Sequence, residues 1–304
     1  MQGKIQERAD IGIVTFMAYP IIKGEGPILE SLEALASDDY FSVLEVTRIK
    51  DEATRKKAQA LVAKHGKSVA FGSQPTLLIN KLNLNDPDEV KRQAAIDAVK
   101  KDVDEAYDWK ARGLGVLSGV DPGPDTRQEA KALLVDSLKQ ICAYSASKGE
   151  MPVVIEAFDR VEFGKNCLIG PTDDAVEVAA AVTKDFPSFG LMLDLSHLPL
   201  LGETPQQSLG GAREYLRHAH IGNCVMRHPE HEAYGDNHPP FGIQEGENDL
   251  PELVEFLKVL NDIGYLDGSH RVLSFEVKPC TGDTAGGVIA ASKKLLDEAW
   301  RQVE

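Results

Sequence analysis

The sequence predicts an α/β fold of the (β/α)8 TIM-barrel type, built as a single domain over residues 1–304. Two observations lead there. Short apolar runs lacking polar/apolar alternation recur along the chain, as expected of parallel strands covered on both faces. Between them stand amphipathic, charge-bearing segments with helix start signals, and strict alternation of the two builds a parallel sheet. A third observation bears on the rival, a doubly wound open sheet. That fold advertises a Gly-rich first turn, and IGIVTFMAYP (11–20) has none.

Taken in order, the strand candidates are IGIVTF (11–16), FSVLEV (41–46), SVAFGS (68–73) and GLGVLSGV (113–120). MPVVIEAF (151–158), FGLMLDL (189–195), YLRHAHIG (215–222) and RVLSFEV (271–277) follow in the second half. Pro27 opens a helix, Asp51 can cap the next, and DPDEV (86–90) starts a long one reaching about Trp109. Thr126, PTDDAVEVAAAV (171–182), NDLPELVEFLKVL (248–260) and GDTAGGVIAASKKLLDEAW (282–300) supply further starts. GVDPGPDTR (119–127) lacks the pattern of a phosphate loop and reads as a tight turn before a capped helix.

The bulk composition is that of a soluble enzyme, with 42% hydrophobic and 27% charged residues. A net charge of −15 repels nucleic-acid phosphates and argues against DNA or RNA as a partner. Cys142, Cys167, Cys224 and Cys280 stand far apart with no CxxC pair, which argues against a zinc ribbon or a disulfide framework. The opening MQGKIQERADIG has no apolar core of signal-peptide length, and no run is long enough to span a membrane. A reduced, cytoplasmic protein with no membrane partner is the expectation.

In a barrel the chemistry sits at the C-terminal strand ends. Four consecutive candidates finish with Glu156, Asp194, His220 and Glu276. A single acidic residue at a strand end is more often a helix cap or an ion-pair partner; four in register are hard to explain that way. Three carboxylates and an imidazole suit Mn²⁺, Mg²⁺, Co²⁺ or Zn²⁺, and without a cation the carboxylates would repel one another. Glu162, His197 and Arg227 follow three of these residues at short intervals and read, as a set, as substrate hydrogen-bonders. Gln74, at the end of the third strand candidate, could reach substrate hydroxyls. Phe16 and Tyr19 could wall the pocket, Glu45 and Arg48 read mainly as a structural ion pair of which one could reach the pocket, and Cys280 reads as packing.

On these positions (Glu156 with Glu162, Asp194 with His197, His220 with Arg227, and Glu276) the chain resembles the xylose-isomerase-like TIM barrels, in the sugar isomerase/epimerase branch that includes ketose 3-epimerases. The resemblance implies Glu156, Asp194, His220 and Glu276 as ligands of a divalent ion, most often Mn²⁺. It also implies Glu156 and Glu276 as the acid/base pair, His197 as a further catalytic residue that stabilises the developing oxyanion with Arg227, and Glu162 as orienting His197 or a substrate hydroxyl. The activity implied is isomerisation or epimerisation of a ketose or keto-sugar through an enediolate. The same site could instead run an elimination, as a lyase or C-glycoside deglycosidase acting on 3-keto sugars. A carboxylate-rich ligand set is unlike the histidine-rich three-zinc site of the endonuclease branch.

One stretch departs from the epimerase pattern. The interval from His220 to Arg227 is one residue longer than usual there, and a long insert, HPEHEAYGDNHPPFGIQEGENDL (228–250), replaces the Gly-rich loop. It reads as a lid or substrate-selecting loop over the barrel mouth, or equally as an oligomer contact, with His238 as a spare acid/base or substrate-binding group. The partner expected is a small sugar or glycoside. Homo-oligomerisation is expected too, and a deglycosidase of this kind would work with a small second subunit.

Overall fold

The computed structural model describes residues 3–303. A 3-10 turn (Ile5–Glu7) leads into β1 (Asp10–Val14), followed by the short helix α1 (Thr15–Ala18), a second 3-10 turn (Pro20–Ile22) and α2 (Ile28–Ala36). Next come β2 (Val43–Val46), α3 (Glu52–Lys64), β3 (Ser68–Gly72), α4 (Gln74–Ile79) and α5 (Glu89–Asp108). The middle of the chain supplies β4 (Leu114–Leu117), α6 (Arg127–Ala146), β5 (Val153–Glu156) and α7 (Thr172–Thr183). It continues through β6 (Gly190–Asp194), α8 (His197–Leu201), α9 (Pro205–Ala212) and β7 (Leu216–Ile221), and closes with α10 (Leu250–Asp262), β8 (Val272–Phe275) and α11 (Ala285–Trp300). All eight strands are parallel and form a closed barrel, with Asp10 to Ile13 of β1 paired to Val272 to Phe275 of β8. No helix among the described residues is long and apolar enough to cross a membrane.

The helix starts follow local chemistry. Asp51 accepts from the Thr54 amide, and Asp88 accepts from the amides of Val90 and Lys91. Asp249 and Glu252 form a capping box at α10, and Thr284 caps α11. Thr126 stands at the start of α6 but makes no side-chain capping bond. The main apolar layer lies between strands and helices, where residues such as Leu134, Leu138 and Ile141 of α6 are fully buried. The short helices α1, α4 and α8 were not foreseen, because one or two turns in a βα loop carry little periodicity, and nor was α9, which has only eight residues.

The register between β6 and β7 decides what faces the site. Leu191 pairs with Leu216, but Met192 pairs with His218, so Arg217 is an extra residue on β7. The bulge sets Asp194 beside His220; without it every later β7 side chain would exchange faces. Gly190 is required at this point. A Cβ there would stand 2.6 Å from the Tyr215 carbonyl oxygen, and the neighbouring Arg217 stem would also have to move.

Candidate metal centre

Glu156 ends β5, Asp194 ends β6, His220 is the penultimate residue of β7, and Glu276 lies just past β8. All four point into the C-terminal mouth of the barrel, where one ligand atom of each lies within 4.8 Å of the others. His220 Nδ1 stands 2.7 Å from Glu276 Oε2, 3.7 Å from Glu156 Oε1 and 3.9 Å from Asp194 Oδ2. Glu156 Oε1, Asp194 Oδ2 and His220 Nδ1 are buried with no hydrogen-bond partner. Buried orphan atoms of this kind are costly. Ligands about 2.1 Å from one ion lie roughly 3 to 4.2 Å apart, so the spacing and chemistry of this donor set fit a divalent cation.

His220 is held from below. The Nε2 atoms of His218 and His220 lie 2.8 and 3.1 Å from Glu45 Oε1, and since a carboxylate only accepts, both nitrogens donate. That leaves the His220 Nδ1 lone pair for an ion, the arrangement by which an outer carboxylate orients a ligating imidazole. Burial opposes charge on His220, but the carboxylates of Glu45, Glu156 and Glu276 outweigh it and hold its pKa well above the ordinary value. Burial raises the pKa of Glu156, and the neighbouring Glu276 charge adds to it. Glu45→Gln is expected to weaken Mn²⁺ binding by roughly 10- to 100-fold, because the imidazole loses its orienting charge. Calorimetric titration checks this, and an unchanged affinity would refute the role.

Gln74 does reach the centre: its Nε2 donates to Glu156 Oε2 at 2.8 Å. The amide fits because Gly115 has no side chain; a Cβ there would stand 2.9 Å from Gln74 Nε2. His197 is fully buried. Its Nδ1 donates to the Ala157 carbonyl at 2.8 Å, and its Nε2 lies 3.3 Å from Asp236 Oδ1. His238 comes in from the insert, with Nε2 2.8 Å from Asp236 Oδ1 and Nδ1 3.7 Å from Asp194 Oδ2. Asp236 is buried between these imidazoles and Lys165, whose Nζ is 3.1 Å from Asp236 Oδ2. Burial opposes its charge, yet His238, His197 and Lys165 hold its carboxyl well below the usual range.

The insert is tied down on both sides. Phe163 and Tyr234 stack with ring centroids 4.8 Å apart, and the Lys278 amide donates to the His238 carbonyl at 2.7 Å. At its base, Asn248 donates to the carbonyls of Leu195 and Gly222.

Two of the residues expected on the substrate are placed elsewhere. Glu162 is exposed on the loop after β5, because that loop winds around Asp159, which accepts from the amides of Val161, Lys165 and Asn166. The turn carries Lys165, not Glu162, to the pocket. Arg227 is 71% exposed and paired with Glu247 at 2.5 Å. The insert doubles back at the Val225 bridges to Tyr234 and Gly235, and Val225 takes the buried position. Glu45 and Arg48 do not pair with each other: Arg48 bonds Asp102 at 2.6 Å, while Glu45 lies beneath the centre. Phe16 lines the pocket, and Tyr19 is not among its lining residues. Of Glu45 and Arg48 it is Glu45 that reaches the site; Asp236, His218 and three pocket lysines were not singled out for it, although an aspartate two residues before His238 in the same insert was a readable signal.

Residues 32–298 match the family model described as xylose isomerase-like TIM barrel. The chain belongs to that family. A solved D-tagatose 3-epimerase-like protein is 17% identical with a TM-score of 0.72, covering 97% of this chain and 100% of its own. The IOLI protein, solved with a binding zinc atom, is 15% identical with a TM-score of 0.70, covering 95% and 99%. A 3-keto-D-glucoside 4-epimerase from E. coli is 16% identical with a TM-score of 0.67, covering 94% and 98%. At such identities these likenesses establish the fold the chain shares with them. No curated protein sequence matches the chain.

Proposed function

We propose that the protein is a divalent-metal-dependent sugar isomerase or epimerase that acts on a ketose or keto-sugar through an enediolate. One observation carries this reading: Glu156, Asp194, His220 and Glu276 converge from four consecutive strand ends, and the first three present buried atoms with no hydrogen-bond partner. The family membership and the epimerase likenesses support it. A divalent ion held by these four residues would polarise a substrate carbonyl and stabilise the enediolate left by proton removal. Glu156 and Glu276 are the carboxylates suited to carry that proton at the carbon beside the carbonyl. Gln74 orients Glu156, and His238, held by Asp236, lines the pocket where it can meet substrate oxygens, while the buried His197 supports Asp236 from behind.

A second reading has its own observation. Leu78 and Ile79 of α4 are 40% and 61% exposed where they line the pocket mouth, a surface suited to an aglycone. With His238 beside Glu276, the same centre could expel a leaving group from a 3-keto glycoside instead of returning a proton. Incubation with Mn²⁺ and either free ketoses or 3-keto glucosides separates the two. Epimerised or isomerised ketose supports the first reading. Aglycone release with inert free ketoses would replace it with the second, and loss of neither activity after chelation would refute a metal role in both.

A further inference from the structure

Above the carboxylate–histidine cluster lies a pocket of about 130 Å³ whose lining includes Lys23, Lys165 and Lys278. These lysines come from three separate connections, after β1, β5 and β8, so no run of basic sequence brings them together. Three ammonium groups around one small cavity are unexpected in a chain of net charge −15, since like charges at close range repel. Lys165 is compensated: its Nζ donates to the Asp236 carbonyl oxygen at 2.8 Å and lies 3.1 Å from Asp236 Oδ2. Lys23 and Lys278 form no ion pair among the described residues. Lys23 is exposed and Lys278 half-buried where they line the pocket. The pocket's other carboxylate, Glu276, is a member of the proposed ligand set, so an ion there would use its charge and leave the mouth more positive.

We propose that Lys23 and Lys278, backed by Lys165, form an anion subsite that takes a carboxylate or phosphate of the substrate, so that the preferred substrate is an anion-bearing sugar derivative. The term substrate rests on the isomerase/epimerase reading; the anion subsite itself does not. A positive mouth on an acidic protein also concentrates such a ligand at the one place where it can enter productively. Lysine suits this task as a compact point charge for phosphate or carboxylate oxygens.

Calorimetry with gluconate, fructose 6-phosphate and neutral fructose tests the subsite, on Mn²⁺-loaded and on chelator-treated protein. At least one anionic sugar is expected to bind about tenfold or more tightly than fructose, the size of one or two charge-assisted hydrogen bonds. The double variant Lys23→Gln/Lys278→Gln is expected to lose that margin and to keep its fructose affinity and melting temperature. Lys23→Arg/Lys278→Arg should retain the margin. Which of gluconate and fructose 6-phosphate gains more identifies carboxylate or phosphate as the group. Equal binding of neutral and anionic sugars, or an anion held equally by wild type and the glutamine variant, would overturn the subsite. Anion binding without turnover of any sugar would refute the proposed function and leave the subsite standing. Turnover of neutral ketoses with no anion preference would do the reverse.

Discussion

Glu276→Gln is expected to lower turnover by roughly 10²- to 10⁴-fold while the barrel stays folded, the range for losing a positioned acid/base group. The substitution keeps the shape of a side chain that is only 12% exposed and removes one negative charge. That charge faces His220 Nδ1 at 2.7 Å and His238 Nε2 at 3.5 Å. Burial opposes ionisation of Glu276, but His238 and His220 hold its pKa below the usual value, so at neutral pH the wild-type group is a carboxylate. Glutamine cannot take up a proton or neutralise a dication, so metal content and kcat should fall together. Metal analysis, turnover and a thermal melt on the same preparation check this. Near wild-type turnover would remove Glu276 from both proposed roles.

Chelation is expected to destabilise the protein, and to do so more as pH rises from about 6.5 to about 9. Without a cation, protonated histidines supply the positive charge among the buried carboxylates. Burial opposes charge on His238, but Glu276, Asp236 and Asp194 outweigh it and raise its pKa from 6.5 to about 9. The resulting stability is fully present below 6.5 and is lost as pH climbs through the folded-state value. His197 and His220 are raised in the same direction, and Glu156, raised mainly by burial, adds a cost of ionisation that grows as pH rises above its ordinary value of 4.5. Asp236 and Glu276 are lowered and matter only in acid. A bound ion displaces the protons and replaces their charge, so its affinity grows with pH. At a hundred to a thousand times its dissociation constant it adds about 3–4 kcal/mol. Scanning calorimetry across this range, with and without Mn²⁺, should show the two melting curves diverging. A cation-free midpoint that holds level or rises towards pH 9 would refute this account.

The barrel was legible because its cause is local and repeated: buried parallel strands need continuous apolar runs, and their covering helices need a polar face. The strand-end positions of Glu156, Asp194 and His220 follow from the same pattern, as does Glu276 one step beyond β8. Arg227 and Glu162 show where such reading stops. Both follow a strand-end residue at a plausible interval, yet bonds within each loop turn one towards Glu247 and leave the other exposed.

What the chain alone determined, then, was the closed α/β architecture and the order in which four candidate ligands arrive at its mouth. The tertiary structure alone decided what supports and surrounds them. Glu45 meets His220 across 175 residues, Asp236 gathers His197, His238 and Lys165, and three unrelated connections bring their lysines to one pocket. Periodicity within a strand or helix is set by neighbours in sequence. The approach of loops is set by the bulge on β7, by side-chain-to-backbone bonds and by stacking between distant rings, none of which has a local pattern.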